Sequence, residues 1–591
     1  MKYLTLLKNK LFSSRENIAI FILIAVVLLV TSIVVYSEAY EPGRTIDEAN
    51  FFGWKIHLTL KRYEYNAFLG VAGAIGALVC LVSVFIRKES LRAKRVMFVS
   101  LMIAAVMCMT VAPLKYCFLR NEYFDAGDTF CYFLGPKYFK ELGYAVHYEC
   151  AGAAQMETGT GMARYGRDLR TNTLKPISEL ITPRVRENCR ERFSDERWKS
   201  YLKDVDTFRG WHGRNGWQRR FRDHGYNGSP VFQAFAGLIA NLVELNHRNM
   251  VLLALLNFWL VLIMFVVVIR AFGWRFGLLI VIFFWSNFLE RWFMGSSFLR
   301  HEWVMAIGLG LSFMKMQRYG LSGAAFAFAA GVRIFPVLLF VGIGIAVLWD
   351  LIHRRGIKRE YVRFIVGAGI TGVLLFIISV SHGHGFANWQ EFLHQMELNS
   401  GRFSTMRVGF IYNFLWPREF LQNDAYVGYE LRLANLHKPL FWVISADHIR
   451  WVVTAVICAF TVKQFKHLDD IAKSTLTAFL IFFMLLSTVH YYYSLFLGVP
   501  FMWHRYMQQT FGKLFMTYLL GTSALAYVVR EYTYYSFPYN TYFTAVLTVF
   551  FIAVIVYFEL TAKRDALGAL PSEDNRDTRE SQTNLSTNSP A

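Results

Sequence analysis

The stretch RNEYFDAGDTFCYFLGPKYFKELGY, residues 120–144, follows an apolar segment directly. It carries two carboxylates, Asp125 and Asp128, where the chain would leave a membrane, and then Tyr132 and Lys137 among aromatic and small residues. Two acids at a membrane surface, followed by an aromatic segment, suit a functional site. A solvated juxtamembrane loop is the alternative that the local sequence leaves open.

The composition of the whole chain indicates its class. Of the 591 residues, 55% are hydrophobic and 17% aromatic, while only 18% are charged. Such a composition is far from that of a soluble domain. Segments of about 17–22 residues that are almost free of charge recur along the chain, and this length matches the hydrocarbon core of a bilayer. The sequence therefore predicts an all-α polytopic membrane protein. The first apolar segment has no small-residue cleavage pattern after it, so we expect it to be retained.

Hydropathy predicts fourteen spans, at about 18–36, 68–86, 98–113, 249–270, 275–291, 302–316, 319–332, 334–350, 362–381, 450–464, 474–490, 492–504, 512–529 and 541–558. Alternating these spans places the basic connecting segments in the cytoplasm, as the positive-inside rule requires. In RKESLRAKR at 87–95, for example, five of nine residues are Lys or Arg. The short spans that flank Arg333, and that at 492–504, are also compatible with half-helices. Both termini are then cytoplasmic, and the polar tail 565–591 is expected to be disordered.

A long polar segment, about 116–230, would be extracytoplasmic in this arrangement. Its arginines are compatible with a solvated basic surface or with a docking face for anionic lipid head groups or a phosphorylated substrate. Nucleic acid is not an expected partner, because the segment would lie outside the cytoplasm. The clustered arginines are Arg184, Arg186, Arg190, Arg192, Arg214, Arg219, Arg220 and Arg222.

Four of the seven cysteines lie in the same segment: Cys117, Cys131, Cys150 and Cys189. An even set in an extracytoplasmic loop permits one or two disulfides, in any of three pairings. The spacings match no zinc pattern, so a structural disulfide is favoured over a metal site.

Alternation of the spans brings ionisable and aromatic residues from distant parts of the chain to the outer face. A charged side chain near hydrocarbon is costly, so Arg333 between two short spans is a candidate phosphate clamp. Snorkelling to the interface would also explain it. His490 and its neighbour Tyr491 fit either an aromatic belt or a contact with a lipid phosphate. The candidate site residues are Asp125, Asp128, Tyr132, Lys137, Asp223, His224, Arg300, His301, Glu302, Arg333, Arg402, Arg407, His490 and Tyr491.

These patterns resemble the C-type integral membrane glycosyltransferases, the GT-C superfamily. That superfamily includes polyprenol-phosphate-mannose-dependent mannosyltransferases, protein O-mannosyltransferases and aminoarabinose transferases. The resemblance covers about 95–510, but the first outer loop is longer and more basic than in the family. It rests on the acidic, aromatic first outer loop and on the segments GAAFAFAAGVRIFPVLLFVGIGIAVLW (323–349), FANWQEFLHQMELNSGRFS (386–404) and VHYYYSLFLGVPFMW (489–503).

The resemblance implies a bundle of about 13–14 transmembrane helices with four parts. Two extra helices in 1–95 would precede a catalytic core in 96–510, which includes the loop 116–230. Helices in 511–564 and the tail would follow. The resemblance also places the protein in a membrane with its site on the extracytoplasmic side, and we favour a bacterial inner membrane and a role in cell-envelope glycan biosynthesis.

The implied activity is transfer of a hexose or pentose from a polyprenyl-phosphate carrier to a hydroxyl of a glycan, lipid or protein acceptor. A carboxylate would take the proton of that hydroxyl, with Asp128 the first choice and Asp125 the second. Cations would stabilise the leaving phosphate, with Arg333 and His490 preferred over Lys137. The neighbouring Asp223 and His224 would orient the acceptor or bind a metal, so a divalent cation is the one cofactor left open.

Two other classes of protein remain as alternatives. A transporter or flippase of a lipid-linked or anionic substrate usually shows internal repeats, and we find no convincing similarity between the halves of the chain. A catalytically silent scaffold could use its basic outer loop to bind a partner. The depth of the charged residues separates the three. An enzyme gathers them in one outward cavity, a transporter lines a path across the membrane, and a scaffold keeps them on exposed loops.

Overall fold

The computed structural model describes residues 48–57, 62–86, 90–120, 123–159, 163–225, 228–287, 296–400, 407–410, 451–533 and 544–557, with isolated positions omitted in the first stretch and the last two. The predicted first span, Arg402 and the C-terminal tail lie outside these residues. So do the side chains of Cys117, Arg407, His490 and Tyr491.

Two apolar helices follow a short antiparallel hairpin. The hairpin pairs β1 (Glu48–Phe51) with β2 (Trp54–His57). Helices α1 (Arg62–Phe85) and α2 (Leu91–Arg120) pack against each other. Helix α2 continues past Pro113, near which the sequence predicted the end of the third span.

The polar segment after α2 folds around its own aromatic core. The rings of Phe130, Tyr138, Tyr201 and Trp217 are all buried in it. Strands β3 and β4 form an antiparallel hairpin, and the other elements are helical. The elements are α3 (Ala126–Thr129), a π-helical turn (Phe130–Leu134), α4 (Gly135–Lys137), α5 (Phe139–Leu142), α6 (His147–Glu157), β3 (Tyr165–Asp168), β4 (Thr173–Pro176), α7 (Ile177–Leu180), α8 (Pro183–Glu191) and α9 (Asp195–Arg220).

A disulfide crosslinks this segment. It joins Cys150 on α6 to Cys189 on α8. This confirms the predicted structural disulfide and selects one of the pairings that the sequence left open. Cys131 is a free, buried thiol.

Helix α9 changes direction near its end. Gly213 has a φ of 60°, in the left-handed region that glycine enters without steric cost. The last helical turns, which carry Arg219 and Arg220, therefore point away from the axis of the rest of α9.

Apolar helices make up most of the remaining chain. A second apolar cluster, separate from the aromatic core of the polar segment, lies among them. Strand β5 pairs antiparallel with β6. The elements are α10 (Pro230–Leu242), α11 (His247–Phe272), α12 (Trp274–Ser286), α13 (Glu302–Lys315), α14 (Tyr319–Val332), a 3-10 turn (Phe335–Leu338), α15 (Leu339–Ile352), α16 (Arg359–Val380), α17 (Ala387–Ser400), β5 (Arg407–Val408), α18 (Asp470–Leu485), β6 (Thr488–Val489), a long 3-10 helix (His490–Tyr506) and α19 (Thr510–Thr533).

Five helices among the described residues are long and apolar enough to cross a membrane. With the mainly helical fold, they agree with the predicted all-α membrane protein, while the number of fourteen spans stays a prediction. The short predicted span 492–504 lies in the 3-10 helix of 17 residues. At about 2.0 Å per residue, a 3-10 helix of this length extends roughly 34 Å, close to the thickness of a bilayer core. The five helices are Tyr65–Phe85, Leu91–Pro113, His247–Phe272, Phe335–Ile352 and Arg359–Val380.

Polar side chains join the helices at the end of the bundle where the sequence places cytoplasmic segments. The carboxylate of Asp470 accepts hydrogen bonds from the hydroxyls of Tyr319 (2.7 Å) and Tyr361 (2.8 Å). Lys473 donates to the same carboxylate at 3.1 Å. Helices α14, α16 and α18 are thereby fastened together at that end.

Candidate functional site

Asp125 shapes the turn that carries Asp128. Its side chain accepts a hydrogen bond of 2.7 Å from the backbone N–H of Asp128 and so caps α3. Such a cap satisfies one of the backbone donors that the start of a helix leaves unpaired. The backbone N–H of Asp125 donates to the carbonyl of Ser296 at 2.9 Å, which ties this turn to the segment before α13.

Asp128 forms an ion pair with Arg300. The Nε atom of Arg300 lies 3.0 Å from Oδ2 of Asp128, and the two side chains are 2% and 17% exposed. Burial raises the pKa of Asp128 above its ordinary value, and the charge of Asp125 adds to this shift, while Arg300, a hydrogen bond from Ser297 and Arg220 act against it. A carboxylate whose pKa is raised towards neutrality is better suited to accept a proton.

The backbone around Arg300 is held from two directions. The side-chain oxygen of Asn257, within α11, accepts hydrogen bonds from the N–H groups of Arg300 (2.9 Å) and His301 (3.2 Å). The indole of Trp303 donates to the carbonyl of Arg300 at 3.0 Å. Leu299 has a φ of 48°, which is strained for a bulky side chain. Such strain persists where the surroundings over-determine the backbone, and it is frequent at functional sites.

Tyr132 contacts two guanidinium groups. Its ring centre lies 3.9 Å from the guanidinium carbon of Arg300 and 5.1 Å from that of Arg333. Arg333 also lies 4.6 Å from the ring centre of Phe232. These distances fall within the range of cation–π attraction, so the aromatic rings position both cations.

Arg333 forms a buried pair with Glu302. An Nη2–Oε1 distance of 3.7 Å separates the two charges, and the side chains are only 4% and 2% exposed. Within the described part of the chain, neither the Nη atoms of Arg333 nor the carboxylate oxygens of Glu302 have a hydrogen-bond partner. Buried charges without hydrogen bonds are costly, and a native structure that retains them calls for an explanation.

We refer to Asp128, Tyr132, Arg300, Glu302 and Arg333 as the Asp128 cluster. Its members come from three distant parts of the chain and combine two carboxylates with two guanidinium groups. Comparison with protein-family models, with curated proteins and with solved structures finds no match. The side chains of the cluster themselves indicate its chemistry. It can accept a proton at Asp128 and bind an anion at the guanidinium groups.

Two later segments meet beside Arg333. The pairing of β5 with β6 places Arg407 opposite Val489, directly before His490. The ring of Tyr492 packs against that of Phe335 at 5.0 Å. The structure thus brings the backbone of three segments with predicted site residues to the same end of the bundle.

Other predicted site residues have structural partners of their own. Lys137 donates to the carboxylate of Asp204 at 2.7 Å and so fastens α4 to α9. The ring of His301 packs against Phe284, with centres 5.4 Å apart.

The predicted pair Asp223 and His224 lies in the folded polar segment. Oδ1 of Asp223 accepts a hydrogen bond of 2.8 Å from the N–H of His224. Nδ1 of His224 lies 3.0 Å from the side-chain oxygen of Asn172. In the stretches that the structure describes, no three His, Cys, Asp or Glu side chains are grouped so that they could hold a metal ion.

Sequence reasoning missed the position of Arg220, which is half-buried with its Nε atom fully buried. The guanidinium lies so close to Gly127 that a Cβ atom placed there would be 2.5 Å from Cζ of Arg220. For this arginine a solvated basic surface is the wrong interpretation. Nothing local distinguishes Arg220 from the neighbouring Arg219, which is exposed, because both belong to the same basic run. Three glycines, Gly210, Gly213 and Gly216, precede Arg220 in the sequence, and Gly213 is the one at which the end of α9 is redirected.

Proposed function

We propose that the protein is a membrane glycosyltransferase of the GT-C kind, which moves a sugar from a polyprenyl-phosphate carrier to an acceptor hydroxyl. The Asp128 cluster carries this proposal. Transfer needs a base for the acceptor proton beside cations for the departing phosphate. The cluster joins a partly exposed carboxylate to two buried guanidinium groups around a single ring, that of Tyr132.

Asp128 acts as the general base in this proposal. As the acceptor oxygen attacks the anomeric carbon, its proton passes to Asp128, and the bond from that carbon to the phosphate oxygen breaks with its electron pair on the phosphate. The raised pKa of Asp128 favours proton acceptance. Asp125 acts indirectly. Its side chain caps α3 and so holds the turn that carries Asp128.

Arg333 and Arg300 stabilise the leaving phosphate. A guanidinium presents several N–H donors in a plane that matches phosphate oxygens. The Nη donors of Arg333 have no hydrogen-bond partner in the described part of the chain, so a phosphate oxygen would supply one. Because both cations are held against Tyr132 in advance, little reorganisation is needed as charge develops.

The disulfide supports an extracytoplasmic site. Cys150 and Cys189 lie in the same folded segment as Asp128. Disulfides persist in oxidising compartments such as the bacterial periplasm and are rare in the cytosol. A bacterial inner membrane with the site facing the periplasm would agree with this disulfide and with basic connecting segments on the cytoplasmic side.

A transporter or flippase is the alternative. Transporters place charged binding groups near the middle of the membrane. Among the described residues, the apolar helices share a large cluster of buried hydrophobic side chains, and the buried polar residues Ser312, Ser322 and Thr477 of these helices carry no charge. This distribution favours an enzyme with a site at one end of the bundle.

The test is turnover by the purified protein in lipid nanodiscs. A panel of polyprenyl-phosphate-linked hexoses and pentoses would be supplied, and release of polyprenyl phosphate and labelled sugar would be measured. We expect one donor to be consumed by the wild type and not by Asp128→Asn. Asp206→Asn, which changes an exposed carboxylate on α9, is the matched control and should remain active.

Two results would contradict the proposal. One is that no donor in the panel is bound or consumed. The other is movement of a labelled donor across the bilayer of proteoliposomes without release of its sugar, which would establish the flippase instead.

A further inference from the structure

Arg220 lies against the turn that carries the proposed base. Its guanidinium packs against Gly127, the residue between Asp125 and Asp128 in the capped turn. The Nε atom is fully buried and has no hydrogen-bond partner in the described part of the chain. A buried guanidinium needs nearby negative charge, because its transfer from water is otherwise costly.

Two carboxylates act on this cation. Asp125 and Asp223 are the two charged groups that act most strongly on Arg220, and the thiol of Cys131 and the hydroxyl of Tyr148 act more weakly. Burial alone would lower the pKa of Arg220, and these groups together hold it above its ordinary value. Arg220 therefore stays charged beneath the turn.

The fold gives Arg220 little freedom to leave this position. One helical turn earlier, the indole of Trp217 donates to the side-chain oxygen of Gln155 on α6 at 2.7 Å. The next residue, Phe221, is fully buried against Trp217. The carbonyl of Arg220 accepts a hydrogen bond of 3.2 Å from the N–H of Asp223. Both sides of Arg220 are thus anchored in the aromatic core of the polar segment.

We propose that Arg220 is a positioning residue for Asp128. Its guanidinium packs against the turn 125–128 and supplies a fixed positive charge that favours the ionised carboxylate of Asp128. The end of α9 is then part of the active site, since it places this cation. The inference rests on the proposed role of Asp128 as the base.

The sign of the effect follows from the groups that face Asp128. Arg300 and Ser297, from the segment before α13, and Arg220, from α9, favour its ionised form, whereas Asp125 in its own turn opposes it. Removing Arg220 takes away one of the positive charges that favour ionised Asp128, while the repulsion from Asp125 remains. The pKa of Asp128 then rises, and the base loses its charge at a higher pH.

The experiment compares three variants of the full-length protein. Arg220→Gln removes the charge. Gly127→Ala leaves the charge but places a methyl group where the guanidinium lies, so Arg220 must move. Arg219→Gln, which changes an exposed neighbour on α9, is the matched control.

We expect the acidic midpoint of kcat/KM for sugar transfer to move up by about one pH unit in Arg220→Gln. Below that midpoint, kcat/KM should fall about tenfold. Gly127→Ala should move the midpoint in the same direction, and the double variant should show no further shift. Arg220→Lys should restore most of the wild-type profile, and Arg219→Gln should keep all of it.

A second measurement does not need turnover. The carbonyl stretch of protonated Asp128, identified by its loss in Asp128→Asn, can be followed by infrared difference spectroscopy as the pH is changed. Its midpoint should move with that of kcat/KM. If the band shifts in Arg220→Gln but no donor is consumed by the wild type, the proposed function fails, while the effect of Arg220 on the ionisation of Asp128 stands.

The inference is overturned if the wild type is active and the midpoint stays unchanged in both Arg220→Gln and Gly127→Ala. An equal shift in Arg219→Gln would also overturn it, since any nearby charge would then suffice. If Arg220→Gln does not fold, Gly127→Ala decides the question, because alanine is a good helix former and keeps every charge.

Discussion

Asp125 and Asp128 are three residues apart, yet the structure uses them differently. Asp125 caps a helix, and Asp128 faces the buried Arg300. We expect Asp128→Asn to lower the rate of sugar transfer by about 10²–10⁴-fold while donor binding is retained. Asp125→Asn should have a small effect, because the amide oxygen still accepts the capping hydrogen bond. Single-turnover assays of both variants measure this, and transfer abolished only in Asp125→Asn would show that the base is assigned to the wrong residue.

Arg333 offers a second test at the scale of one residue. Arg333→Ala should abolish high-affinity donor binding, measured by calorimetry with the carrier lipid in nanodiscs. It also leaves Glu302 buried without its partner, which costs about 3–5 kcal/mol of stability. The double variant Arg333→Met, Glu302→Gln removes that cost. It should fold like the wild type and still fail to bind.

Arg355→Ala is the matched control for Arg333, since Arg355 is exposed in the connection after α15. Its donor affinity should equal that of the wild type. Wild-type affinity in the double variant, in contrast, would remove Arg333 from the phosphate site.

The sequence predicted all five members of the cluster as candidates, but it could not predict which of them pair with each other. A cation between two short apolar spans is conspicuous, so Arg333 was identified. The pairing of Asp128 with Arg300 depends on a turn fixed by Asn257, which lies inside an otherwise apolar helix. No periodicity or local motif reports such a contact between distant segments.

At the scale of elements, a histidine holds α17 against the polar segment. Nδ1 of His384 lies 3.4 Å from a carboxylate oxygen of Glu391 on α17, and its Nε2 lies 3.0 Å from the carbonyl of Lys140. The hydrogen bond with Glu391 raises the pKa of His384 above its ordinary value. Only the protonated ring can donate to both acceptors.

The docking of α17 should therefore depend on pH. A raised pKa means that the stabilisation by His384 is complete below the pKa of the unfolded chain and is lost as the pH rises through the folded one. We expect amide hydrogen exchange in α17, corrected for the intrinsic pH dependence, to be faster at about pH 8 than at about pH 6. His384→Gln should remove the difference. Equal protection of the wild type at both pH values would contradict this role.

Helix boundaries illustrate what an element reveals in its sequence. The break between α14 and α15 was predicted, because Arg333 interrupts an apolar run at the turn GVRIFP (331–336). The 3-10 geometry of His490–Tyr506 was not predicted. Hydropathy reports the length of an apolar segment, and a 3-10 helix covers more distance with the same residues.

For the whole molecule, the disulfide provides the clearest prediction. Cys150 and Cys189 are 39 residues apart, and closing such a loop stabilises the fold by roughly 4 kcal/mol through the entropy of the unfolded chain. Reducing agent should lower the thermal unfolding midpoint of the wild type but not that of Cys150→Ser, Cys189→Ser. Cys131→Ala, which removes a buried free thiol, should stay sensitive to reductant. Insensitivity of the wild type would mean that the bond does not form.

Hydropathy was sufficient for the class of the molecule but not for the fold of its polar segment. Five membrane-length helices follow from the apolar runs. The segment between α2 and α10 has no such pattern, since its core is built from scattered aromatic residues such as Phe130 and Trp217. The contacts within this segment, such as that of Arg220 with the Asp128 turn, are therefore visible only in three dimensions.

The close approach of Arg220 to Gly127 has a consequence for how this sequence can diverge. Any side chain larger than hydrogen at 127 would collide with the guanidinium. In descendants of this chain, the two positions should change together: a bulkier amino acid at 127 should be accompanied by a shorter, neutral one at 220. The pair therefore offers an evolutionary record of whether the arginine was retained under selection.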